Sequence, residues 1–128
     1  MPRLPLTSAL ASLAALALVV PGIAMAHPKL VSSTPAADSS VAKPTEITLN
    51  FNETLVGPLS GIELVMTGMP GMASHKPMPI SGFTTKAEGK SIKVKLPRAL
   101  PAGSYTLKWH AVASDQHRIE GSYSFTVR

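Results

Sequence analysis

Leu100-Pro101-Ala102-Gly103-Ser104-Tyr105-Thr106-Leu107-Lys108-Trp109-His110-Ala111-Val112 decides the fold. From Tyr105 onward, Tyr105, Leu107, Trp109 and Ala111 fall on one face of an extended chain and Thr106, Lys108 and His110 on the other. That two-residue period is the mark of a half-buried strand. The lead-in from Leu100 to Tyr105 resembles the tyrosine corner of Greek-key sandwiches, in which the phenol ties back to backbone where the chain crosses between sheets.

The same period recurs on either side. Glu46–Asn52 sets Ile47, Leu49 and Phe51 against Thr48 and Asn50, and Ser91–Leu96 turns Ile92, Val94 and Leu96 inward. Gly121–Val127 turns in Tyr123, Phe125 and Val127, Gly61–Met66 is a further strand, and Lys29–Val31 a short one. Gly57-Pro58 marks a turn, and no helical period follows residue 26. Closely spaced strands between Gly and Pro turns predict an all-β protein, an immunoglobulin-like Greek-key sandwich or small barrel, without internal repeat or second domain.

Residues 1–26 predict a cleaved export signal. Arg3 gives a basic start, Ala9–Val20 an apolar run, Pro21-Gly22 a break and Ala24-Met25-Ala26 an A-x-A cleavage site. The run falls short of the about 20 residues that a membrane helix needs, so the trimmed protein is expected to be soluble, a single domain over 27–128 beginning at His27. The absence of twin arginines points to the general export route. Arg3 is the leader's one charged residue, so the net charge of +5 falls to +4 on trimming. The basic residues are scattered and have no interleaved aromatics, which argues for a solvated face and against a nucleic-acid surface. With no cysteine, disulfides, thiolate nucleophiles, zinc ribbons and iron–sulfur clusters are excluded.

Folding alone does not account for the stretch from Met66 to Met78, M-T-G-M-P-G-M-A-S-H-K-P-M. It holds four of the chain's six methionines together with His75, and Gly68, Pro70, Gly71 and Pro77 forbid a helix through it. The methionines are therefore expected on a loop. Met66 also continues the alternation of Ile62 and Leu64, which fits partial burial. Exposed methionines forgo burial energy and risk oxidation to the sulfoxide. Thioether sulfur selects Cu(I), and imidazole also accepts Cu(II) and Zn(II), so the loop predicts a Cu(I) site.

A second constellation begins at His27. Once trimmed, this residue offers its α-amine and ring Nδ1 to one ion, and nitrogen and carboxylate donors suit Cu(II). Further donors stand in Ser114-Asp115-Gln116-His117, between the last two strands, where Asp115 and His117 are two apart and point the same way from an extended loop. Glu53, just past a strand end, is a fourth donor or a supporting group. His110, outward beside Lys108, is expected to be solvated.

Taken together, His27-Pro28-Lys29-Leu30, Ile47–Phe51 with Glu53, Met66–Met72, His75-Lys-Pro-Met78, the Leu100–Tyr105 corner, Trp109, Ala111-Val112 and Ser114-Asp115-x-His117 resemble the CopC family of periplasmic copper-resistance proteins. The resemblance covers the whole of 27–128. It implies a cupredoxin-like or immunoglobulin-like sandwich with copper sites at opposite ends: Cu(II) at His27, Asp115 and His117 with Glu53 close by, and Cu(I) at Met66, Met69, Met72, His75 and Met78. It also implies a periplasmic carrier in copper resistance and homeostasis, with transfer partners such as an inner-membrane copper-uptake protein or a periplasmic copper oxidase. Two departures stand out: Arg118 replaces an expected proline, and His75 lies one residue further from Met72 than in some relatives.

Two other classes compete. Lytic polysaccharide monooxygenases also hold copper with an N-terminal histidine and a second histidine on a β-sandwich. They need a flat aromatic substrate face, however, and Tyr105, Trp109 and Tyr123 all sit at inward positions here. A sandwich module that only binds another protein is the third reading.

Overall fold

The computed structural model describes residues 27–128; the leader expected over 1–26 lies outside them. Among the described residues nine strands run in chain order: β1 Leu30–Thr34, β2 Ser40–Val41, β3 Glu46–Phe51, β4 Gly61–Gly68, β5 Met78–Pro79, β6 Thr84–Glu88, β7 Ser91–Lys95, β8 Gly103–Val112 and β9 Arg118–Val127. A 3-10 turn, Gly57–Leu59, precedes β4. The strands form two sheets, β1-β3-β7-β6 and β2-β9-β8-β4-β5. Every pairing is antiparallel except that of β2 with β9. The architecture is therefore a sandwich and not a closed barrel. No helix among the described residues is long and apolar enough to cross a membrane.

The alternation read from the sequence is what joins the sheets. Ile47, Leu49, Ile92 and Val94 of one sheet and Leu64, Tyr105, Leu107 and Phe125 of the other are almost wholly buried in one core. Each such aliphatic side chain contributes about 1.5–3 kcal/mol relative to exposure. Tyr105 stacks on Phe125 at 5.5 Å between ring centroids, and Phe51 meets Trp109 edge-on at 5.1 Å. The Tyr105 hydroxyl donates to the Pro101 carbonyl at 2.6 Å, closing the predicted tyrosine corner.

Several bounds differ from those expected, each for a physical reason. β6 was not predicted: Thr-Thr-Lys-Ala-Glu has no apolar alternation, because an edge strand buries only Ala87, partly, and is held by its ladder to β7. β9 starts at Arg118 and not at Gly121. Gly121 is an interior residue opposite Trp109, where a Cβ would stand 2.3 Å from the indole Cζ2. β4 runs on to Gly68, with a bulge between Met66 and Gly68. Met66, read as the end of a strand and partly buried, lies in β4 and is buried, whereas the expectation of a loop is corrected at Met78, which opens β5.

β8 fixes the distance between the two candidate sites. Its Tyr105 pairs with Met66 at one end, and Val112 lies three residues before Asp115 at the other. Ten residues at about 3.3 Å each place the methionines and the Asp115 loop roughly 30 Å apart.

Candidate metal centres

At the end of β8 the chain turns through Ala113–His117. The Gln116 amide donates to the Ala113 carbonyl at 2.8 Å, and Gln116 itself has φ 66, the left-handed region. That conformation brings the flanking residues to one side. Asp115 Oδ1 accepts the His117 backbone N–H at 3.1 Å, and Oδ2 lies 3.3 Å from His117 Nδ1. The backbone bond, above all, holds the Asp115 carboxyl below its ordinary value, with the His117 and His27 rings helping and partial burial opposing. An ionised carboxylate only accepts, so in the neutral ring the proton sits on Nδ1 and the lone pair of His117 is on Nε2.

His27 comes to the same end from β1. Its ring centroid is 5.5 Å from that of His117. Two bonds hold the approach: Asn52 Oδ1 accepts the Lys29 amide at 2.7 Å, and the Asn52 amide donates to the Lys29 carbonyl at 3.1 Å. Glu53 is half-buried between Asn52 and Leu55, and Leu55 bridges to Ala113. The chain thus gathers His27, Asp115 and His117, with Glu53 on the adjoining segment. Among the described residues, however, no three His, Asp or Glu side chains are already arranged to hold an ion. Asp115 has turned both oxygens onto His117, although a carboxylate has about four acceptor sites and two remain.

The opposite end is built from two facing pairs. Met69 and Met72 exchange amide–carbonyl bonds of 2.9 Å in both directions across Pro70-Gly71, and Gly71, at φ 81, sits where this proline–glycine turn requires the left-handed region. Residues paired in this way project to the same side. Met66 faces Met78 in the β4–β5 ladder, so these two also share a side. Met69, Met72 and Met78 are substantially exposed, whereas Met66 is 6% exposed. Between the pairs, the His75 amide donates to the Thr67 carbonyl at 2.9 Å, and its ring Nδ1 donates to the Lys76 carbonyl at 2.8 Å. A carbonyl cannot donate, so in the neutral ring Nε2 is the unprotonated nitrogen, and it is buried with no hydrogen-bond partner.

His110 is half-exposed and stands over Gly61. Arg118 starts β9 and bonds Glu120 through Nε at 2.9 Å. Tyr105, Trp109 and Tyr123 are all buried, so none offers the open aromatic face that a polysaccharide oxidase needs. Sequence reasoning missed Asn52 and Gln116. An asparagine after a strand end reads as ordinary turn chemistry, and left-handed glutamine has no sequence signature.

Comparison with known proteins agrees with this architecture. The family model described as "CopC domain" matches residues 30–128. "Copper resistance protein C" of Escherichia coli is 52% identical over 106 residues, covering 82% of this chain and 84% of the relative. The protein of the same name from Pseudomonas syringae pv. tomato is 46% identical over 118 residues, covering 91% and 93%. The crystal structure of PcoC, a methionine-rich copper resistance protein from Escherichia coli, superposes with TM-score 0.71 at 48% identity, covering 80% of this chain and all of that one.

Proposed function

Because this chain belongs to the CopC family, we propose that it is a copper-binding resistance protein, a carrier and not an enzyme. Copper is its cargo. His27, through α-amine and ring, joins His117 Nε2 and Asp115 in holding Cu(II), with Glu53 in support. Met66, Met69, Met72, Met78 and His75 form the Cu(I) set, with the three exposed thioethers as the entry side and Met66 reached after a small repacking. Export by the leader over 1–26 frees the terminus of the 27–128 domain in the periplasm. There it buffers copper and passes it to a partner such as an inner-membrane copper-uptake protein or a periplasmic copper oxidase.

The observation that carries this reading is the His75 ring. A buried polar atom without a partner costs about 1–3 kcal/mol, and this one belongs to the same segment that carries Met66, Met69, Met72 and Met78. A soft, weakly hydrated cation offsets that cost and satisfies the sulfurs together. The test is a pair of titrations on the protein trimmed to His27: Cu(I) against a chromophoric chelator, and Cu(II) directly. Met69→Leu with Met72→Leu is expected to abolish Cu(I) binding and leave Cu(II) affinity unchanged. Loss of both ions together contradicts two separate sites.

A further inference from the structure

Asn52 follows the last residue of β3 and is exposed, yet it grips Lys29 from both sides, Oδ1 taking the amide at 2.7 Å and its own N–H reaching the carbonyl at 3.1 Å. Lys29 is two residues from His27, and the intervening Pro28 is buried with its φ locked by the ring. The lever from clamp to imidazole is therefore short and stiff. β1 pairs with β3 at Leu30–Phe51, but the register then slips before Ser32, and a bulge breaks the ladder that would otherwise transmit the position of the rest of the strand.

We infer that Asn52 is a positioning residue for the Cu(II) site: its clamp on Lys29 holds His27 toward His117, so the chelating terminus is ordered before copper arrives. The inference rests on the copper reading above. Asn52 touches no ion. It acts on the ordering that binding would otherwise have to supply, and groups of this kind typically change metal affinity tenfold or more. The amide group suits the task because its oxygen accepts without adding a charge beside the donors.

The test combines Asn52→Ala and Asn52→Asp in the protein trimmed to His27 with Asn52→Ala in a version carrying one extra alanine ahead of His27. Cu(II) titration with electron paramagnetic resonance is read beside hydrogen exchange of the Lys29 amide in copper-free protein. Asn52→Ala is expected to weaken Cu(II) binding roughly tenfold and speed Lys29 exchange. Asn52→Asp, which keeps the acceptor oxygen, retains the slow exchange. In the extended version the α-amine chelate is gone and only the His27 ring is left to position, so Asn52→Ala costs less there, and Cu(I) binding at the far end stays unchanged throughout. Unchanged Cu(II) affinity in trimmed Asn52→Ala, or equal loss in both backgrounds, overturns the positioning role and leaves the copper site standing. Failure of the unsubstituted trimmed protein to bind Cu(II) overturns both.

Discussion

Gln116 occupies the left-handed region at φ 66, which costs a non-glycine residue about 1–2 kcal/mol. Glycine there would relieve that cost but add about 0.5–1 kcal/mol of unfolded-state entropy, so Gln116→Gly is expected to be near neutral in thermal melts. Gln116→Val, with a branched Cβ, is expected to lose about 1–2 kcal/mol and to misalign Asp115 with His117, which a Cu(II) titration reads as weaker binding. Asp115 itself gives a pH signature. Its folded value lies below the ordinary 3.8, so the small stability it supplies is present above pH 3.8 and lost as pH falls through the folded value. An acid titration of Asp115→Asn is expected to lack that step, which is sensitive to salt because the pair is exposed. At this scale the sequence offers residue types but not their bonds. The grouping of His27, Asp115 and His117 at one end followed from type and spacing, whereas Asn52 became visible only through Lys29.

Strands whose one face is buried were legible because burial imposes a period: β3, β7 and β8 were each read within two residues of their bounds. β2, β5 and β6 were not, since two are only two residues long and the third hides almost nothing. The methionine segment was half-read. Its breakers excluded a helix, but cross-strand pairing of Met66 with Met78 is a long-range fact that composition does not carry. The turn Met69-Pro70-Gly71-Met72 makes a prediction of its own. Gly71→Val puts a branched residue at φ 81 and should splay Met69 from Met72, weakening Cu(I) binding while the core, and so the melting temperature, changes little. The tyrosine corner is the converse case. Tyr105→Phe removes the bond to Pro101 and is expected to cost about 1 kcal/mol, or roughly 4–8 °C in melting temperature, with neither copper site affected.

Across the whole molecule, β8 separates the proposed nitrogen–oxygen site beyond one end from the proposed sulfur site at the other. Sites roughly 30 Å apart without shared partners should stabilise the fold additively. Each ion supplied at 100 times its dissociation constant adds about 2.7 kcal/mol. Scanning calorimetry with Cu(II), with Cu(I) under reductant, and with variants that remove one site is expected to show independent upward shifts. The most direct measurement is X-ray absorption at the copper edge of the trimmed protein loaded with one equivalent of Cu(II) or, separately, of Cu(I). A first shell of nitrogen and oxygen alone is expected for Cu(II), and one dominated by sulfur with an imidazole contribution for Cu(I). Sulfur around both ions, or around neither, would contradict separate sites for the two ions.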